Sequence, residues 1–224
     1  MPKLCTYVVR EDTGLAPNPF WGSCTLAVCT PNHQGTRLQP SDWITGFLTK
    51  IRGHRFLYAM EVSEILGLHE YFYDPRFESK KPNLHGTWQE RCGDNFYSRS
   101  ADGAWIQHRN RFHLSEELRQ QDTKHARVFI GSRFWYRGKS ATPVPPRFSP
   151  IAGGRGARVN HNPDLVEDFC SWVSVEFKPG VGDVPNDNPD IVGEKSARRR
   201  RADPPGSVRS LGARGKNCAT TRPR

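Results

Sequence analysis

Residues 16–29 read APNPFWGSCTLAVC, and the stretch changes character halfway along. Pro17, Asn18, Pro19 and Gly22 are turn-formers that either fix backbone angles or free them, whereas Cys24, Thr25, Leu26, Ala27, Val28 and Cys29 make a small, mostly apolar run suited to a buried strand. A rigid loop feeding a buried strand is a common way to hold polar groups at the mouth of a pocket. The plainer reading is a tight connection between two strands, with Phe20 and Trp21 as core anchors.

On the N-terminal side, Leu4 to Arg10 alternates and carries Tyr7, Val8 and Val9, so it reads as an opening strand turned by Glu11 to Gly14. On the C-terminal side, Pro40, Ser41 and Asp42 introduce a strand from Trp43 to Leu48. A basic turn, Lys50 to Arg55 with Gly53 inside it, leads to the next strand. There Phe56, Tyr58, Met60 and Val62 fall on one face and Leu57, Ala59, Glu61 and Ser63 on the other, a period of two that pairs the two strands as a hairpin. His69 to Phe77 is too aromatic for a solvated loop and is cut by Pro75, which predicts a short helix or turn on the sheet edge. Glu78 to Arg111 is an irregular, aromatic excursion of the kind that usually faces a ligand or a partner. Ser115 opens one or two helical turns, and Ala126 to Trp135 is a buried strand or strand pair broken at Gly131 and Ser132. Asn162-Pro163-Asp164 supplies a cap, a proline at the first helical position and an acid near the positive end, so Pro163 to Phe177 is a closing helix.

The chain has 224 residues, 35% of them hydrophobic, enough for one domain with a core plus something less ordered. Its formal net charge of +10 favours acidic partners such as nucleic acid or nucleotides. From Pro179 to Arg224 there are ten Lys and Arg against five Asp and Glu, with almost no large apolar side chains. Such a segment cannot offset its ordering entropy by burial, so the domain is expected over residues 1–178 and a disordered Arg/Pro/Gly-rich tail over 179–224. No apolar run suits a signal peptide or a membrane span, which predicts a cytoplasmic protein with reduced cysteines.

Signatures of high specificity are missing: there is no P-loop, strand-linked GxGxxG, HExxH or GxSxG pattern. The six cysteines form no CxxC pair, and His108, His113 and His125 match no ligand spacing, so neither a metal nor a cofactor is expected. Cys24 and Cys29 would serve as nucleophiles only with a histidine or a cation beside them. The Gly153 to Gly156 loop is able to present Arg155 to a phosphate, and Asp94, Asn95 and Tyr97 suit the edge and face of a splayed-out base.

Several segments, in order, resemble the bacterial and phage family of nucleotide modification associated domains, type two. They are YVVREDTGLAPNPFWGSCTLAVCTP, SDWITGF, LYAMEVSEIL, EYFYDPRF, KKP, GDNFY, WIQ, RVFIGSRFWYRG and GRG, spread over Leu4 to Phe177. The hairpin and the aromatic turn also look like the PUA, ASCH and EVE superfamily. That resemblance implies an α+β fold built on a PUA-like, partly open β-barrel with a closing C-terminal helix, and a pocket for a modified base. It places Asn18, Phe20, Cys24, Thr25, Asp42, Trp43, Tyr71, Arg76, Asp94, Asn95, Tyr97 and Arg155 around that pocket, with Trp43, Tyr71 or Tyr97 stacking and Arg76 and Arg155 on phosphate. Ser41 departs from the family pattern where glycine is expected, and Ala157 where a histidine follows GRG. The implied function is recognition of a modified base or nucleotide in DNA, for hypermodification or defence. The alternatives are an enzyme acting on a nucleotide, with Asp94 or His113 as general base, and a scaffold for a DNA-modification enzyme.

Overall fold

The computed structural model describes residues 1–29 and 33–191, and its architecture is mixed α+β. In chain order the strands are β1 (Leu4–Val9), β2 (Cys24–Leu26), β3 (Trp43–Leu48), β4 (Phe56–Glu61), β5 (Glu64–Gly67), β6 (Tyr97–Arg99), β7 (Trp105–Gln107), β8 (Arg127–Gly131), β9 (Arg133–Tyr136) and β10 (Gly180–Val181). The α-helices are α1 (Leu68–Tyr73), α2 (Trp88–Arg91), α3 (Glu116–Thr123) and α4 (Pro163–Glu176).

The expected hairpin of β3 and β4 lies inside a five-stranded sheet of order β1-β3-β4-β9-β10. A second sheet has the order β2-β8-β5, and β6 and β7 form a separate ribbon. Only Val62 and Ser63 separate β4 from β5, and only Ser132 separates β8 from β9. Each pair is therefore one long strand that bends and passes from the first sheet into the second, the two staying antiparallel partners throughout: Glu61 faces Arg133 before the bend and Glu64 faces Ile130 after it. Gly131 occupies the elbow, where a Cβ atom would lie 2.8 Å from the Glu61 carbonyl oxygen and 2.9 Å from the Met60 Cβ. The sequence break at Gly131 and Ser132 is this elbow.

The sheets do not close. Strands β1 and β10 end the first, β2 and β5 end the second, and no ladder among the described residues joins an end of one to an end of the other. Two sheets sharing a bent ribbon stand where the sequence resemblance implies a partly open, PUA-like barrel, and no closed barrel forms among the described residues. Strand β1, which would have to meet β2 for closure, instead bridges Thr6 to Arg158 on its outer side.

Helix α4 begins as its sequence requires, with the Asn162 side chain accepting from the amides of Asp164 and Leu165. Its residues Val166, Phe169 and Val173 are buried at helical spacing against Trp43, Phe47, Phe56 and Trp135 of the first sheet. On the opposite face, Ile44, Leu57, Tyr58 and Met60 share a second core with Cys24 and Leu26 of β2. A third core joins β8 to α1 and to the excursion through Tyr71, Phe77, Phe96 and Val128. Ser41 adopts φ +74°, a left-handed conformation that glycine would take without steric cost.

Residues beyond 178 take part in the described structure as far as Ile191. Strand β10 pairs in parallel with β9, and the residues after it pack against the body by polar contacts. The buried Asp12 carboxylate accepts from the Tyr136 hydroxyl at 2.5 Å and from the Asn186 amide and side chain at 2.9 Å each. Asp187 forms an ion pair with Arg52 at 2.6 Å, and Asp190 pairs with Arg91 at 2.9 Å and with Arg111. Counting apolar side chains misses such a segment because its anchors are hydrogen bonds to residues far away in sequence. The rest of the expected tail, residues 192–224 with Arg198 to Arg201, lies outside the described residues.

Candidate functional site

The residues expected to read a base are brought together, but in the interior. Asn18 and Thr25 are joined by reciprocal backbone bonds of 3.0 and 2.9 Å, so residues 18–25 form a closed turn. The Thr25 hydroxyl donates to Asp94 Oδ2 at 2.7 Å and the Tyr71 hydroxyl to Asp94 Oδ1 at 2.8 Å. The Asn18 side chain donates to the Cys92 carbonyl at 2.8 Å, and Asn95 donates to the carbonyls of Tyr71 and Phe77 at 3.0 and 3.2 Å. All of these side chains are buried. Asn95 Oδ1 is buried without a partner among the described residues.

The centre of this cluster is a residue the sequence reading did not single out. Lys80 is 1% exposed, and its ammonium donates to the Asn18 carbonyl and Asn18 Oδ1 at 2.9 Å each and to the Ser23 carbonyl at 2.8 Å. Burial pulls this amine down to about 8, against the opposing pull of Asp94 and Cys24. Burial pushes the Asp94 carboxyl up, opposed by Lys80, Thr25 and Tyr71. A charged network of this kind, with its polar atoms aimed inward, holds the 18–25 turn in place.

The remaining expected residues are dispersed. Trp43 stacks on Trp135 beneath α4, ring centroids 5.1 Å apart and planes 18° apart. Asp42 accepts from the amides of Lys3 at 2.7 Å and Gln39 at 2.8 Å. Arg76 is exposed and already paired with Asp74 at 2.6 Å and Glu64 at 2.9 Å, while Arg155 stands exposed on its glycine loop. Cys24 is fully buried, and burial pushes its thiol up to about 12, the behaviour of a core residue. Tyr97 is buried and its hydroxyl donates to Asp122 Oδ2 at 3.1 Å.

Of the two candidate bases, Asp94 is locked in the buried cluster. His113, at the end of the excursion, has its Nδ1 bonded to Asp122 of α3 and its Nε2 at 3.1 Å from the sulfur of Cys29. Burial alone would lower this imidazole, but the bonds to Asp122 and Cys29, and their charges, raise it to about 10.

Among the expected residues, Phe20 alone lines a large surface cleft, of about 900 Å³. The tip of the 18–25 turn forms one wall with Phe20 and Trp21, and Trp88 and Glu90 of α2 form the next. Phe134 and the 179–184 segment close the far side. Trp21 is 39% exposed and sits at φ +56°. Phe20 meets Trp21 and Trp88 edge to face, with centroids 5.6 and 5.4 Å apart. Among the described residues neither Lys nor Arg lines the cleft. Glu90 is occupied in capping α2 through Thr87, at 2.6 Å to the amide and 2.7 Å to the hydroxyl. The sequence signal for this cleft was the PNPFWG turn itself, read in terms of Asn18 and not of the exposed indole two residues beyond Pro19.

Among the described residues no group of three His, Cys, Asp or Glu side chains is arranged to hold a metal, and no helix is long and apolar enough to cross a membrane. The features together define a mixed α+β protein in which a buried lysine-centred network braces an aromatic turn at the rim of a cleft. The family described as nucleotide modification associated domain 2 matches residues 1–190, and the chain belongs to that family. No curated protein and no solved structure matches it.

Proposed function

We propose that this chain recognises a modified base or nucleoside within a nucleotide-modification system, and that it does so in the cleft between the 18–25 turn and α2. The observation that carries this reading is Trp21, an indole left 39% exposed on a turn braced from behind by Lys80 and Asn18. A flat ring held rigidly is a stacking platform, and stacking a base on an aromatic side chain contributes roughly 1–3 kcal/mol. Phe20, Trp88 and Phe134 supply the apolar walls, and the cleft volume of about 900 Å³ accommodates a heterocycle with a substituent. Membership of the family supports a role in nucleotide modification. Because the described residues put no cation in the walls, the cleft grips the base and leaves phosphate to other surfaces, for which Arg155 is available. The roles given to Trp43, Tyr71 and Tyr97 on sequence grounds pass to Trp21 and Trp88, whose rings border the open space.

The test is titration of tryptophan fluorescence with a panel of modified and unmodified nucleosides, alongside mass spectrometry of whatever remains bound after native purification. A saturable change for some members, weakened tenfold or more by Trp21→Ala, is expected. Binding that is indifferent to Trp21→Ala and Trp88→Ala overturns the assignment.

A further inference from the structure

We propose that Cys29, His113 and Asp122 form a nucleophilic triad that cleaves an amide or ester through a thioester on Cys29, an activity separate from the aromatic cleft. Two regions far apart in sequence converge here: the end of the 16–29 stretch, and the 113–122 segment that runs from just past the excursion into α3. The geometry is that of a relay. Asp122 bonds the Nδ1 of His113, which leaves Nε2 facing the Cys29 sulfur at 3.1 Å. The other oxygen of the same carboxylate accepts from the Cys29 backbone amide at 3.0 Å, so a single group sets both the imidazole and the backbone that carries the thiol.

The supports around the triad are equally specific. Tyr97 donates to Asp122 Oδ2 at 3.1 Å. Asn110 accepts from the His113 amide at 2.7 Å and donates to its carbonyl at 2.9 Å, fixing the ring from the backbone side. Asp122 and His113 are 1% and 5% exposed, whereas Cys29 is exposed, so the nucleophile reaches solvent and its partners do not. Cys29 is held at φ +64°, a left-handed conformation rare for a residue with a side chain and concentrated at functional sites. The raised imidazole keeps His113 a cation at neutral pH, in contact with the Cys29 sulfur. The condition that the sequence set for a nucleophilic Cys29, a histidine beside it, is met.

The position of the acid selects the substrate class. The Nε2 proton lies next to the sulfur, so it serves an atom bonded to the attacked carbon, which is the leaving nitrogen or oxygen of an acyl compound. In the first half-reaction the thiolate adds to the carbonyl carbon and the C=O electron pair moves to oxygen. The adduct then collapses, the C–N or C–O bond breaks, and the leaving group takes the proton from His113. In the second, His113 takes a proton from water, hydroxide adds to the thioester carbon, and the C–S bond breaks to release the carboxylic acid and restore the thiolate.

The probe is p-nitrophenyl acetate, followed by absorbance and by peptide mass spectrometry after acid quench. A burst of p-nitrophenol and an acetyl group on the Cys29 peptide are expected, with the burst abolished by Cys29→Ser and slowed at least tenfold by His113→Gln and Asp122→Asn. A second readout, iodoacetamide alkylation against pH, separates catalysis from loss of fold. In the native protein Cys29 is expected to react well below the pH at which a free thiol does, and in a folded His113→Gln variant only near it. Acetylation spread over Cys170 and lysines without preference for Cys29, or alkylation of Cys29 with the pH profile of a free thiol in the native protein, overturns the proposal.

Discussion

The ammonium of Lys80 reaches both the backbone carbonyl and the side-chain carbonyl of Asn18, each at 2.9 Å. One buried cation thus fixes the residue that begins the turn, and the Ser23 carbonyl near its other end as well. Replacing it with an apolar side chain of similar length leaves Asn18 Oδ1 and the Ser23 carbonyl unfilled, the Asn18 carbonyl with its Thr25 amide bond alone, and Asp94 without its counter-charge. Lys80→Met is expected to destabilise the protein by about 3 kcal/mol or more. Urea denaturation checks this, and a change under 1 kcal/mol would show that water replaces the ammonium.

The C-terminal segment is anchored through Asp12. Asp12→Ala strands the Tyr136 hydroxyl and the Asn186 amide, both inside the fold. A loss of about 2–4 kcal/mol is expected, together with early proteolytic cleavage within residues 179–191. Limited proteolysis followed by mass spectrometry reads the second effect directly, and protection equal to the native protein would refute the anchoring role.

Gly131 turns the shared ribbon. Its alanine variant would bring a methyl group within 2.8 Å of the Glu61 carbonyl oxygen and 2.9 Å of the Met60 Cβ, neither of which is a flexible chain end. Overpacking of this kind costs typically 1–3 kcal/mol. Because Ser132 beside it lines the cleft, Gly131→Ala is also expected to weaken nucleoside binding, measured by the same fluorescence titration.

His113 predicts a pH dependence whose sign is fixed. Its imidazole lies at about 10 when folded against an ordinary value of 6.5, so the folded state holds the proton more tightly. The resulting stabilisation is complete below pH 6.5 and is lost as pH rises through 10, an upper bound of about 5 kcal/mol. Native protein should therefore melt at progressively lower temperature across that interval, and His113→Gln should flatten the trend. An identical slope in both would show that other groups govern it.

Local pattern carried much of the fold. The β3–β4 hairpin, the break at Gly131 and Ser132, the Ser115 start of α3 and the Asn162-Pro163-Asp164 start of α4 all follow from rules acting over a few residues. The bend that splits one strand into β4 and β5 was hidden, because Val62, Ser63 and Glu64 continue an ordinary strand alphabet. The polar side chains of Asn18, Thr25, Asp94 and Asn95 lie together and are buried. Nothing in a string of letters says which side of a turn an asparagine faces, and Lys80, in the middle of a charged pair with Lys81, looks like a surface residue until its three carbonyl partners are seen. The letters from Cys24 to Cys29 read as one apolar strand run that ends on Cys29. The strand stops at Leu26, three residues earlier, and its histidine is 84 positions away.

The doubly paired ribbon of β4–β5 and β8–β9 makes the two sheets one girder. Force applied at the cleft, where Ser132 forms part of the wall, travels down both legs at once, so an occupant there is expected to slow amide hydrogen exchange in the two sheets in concert.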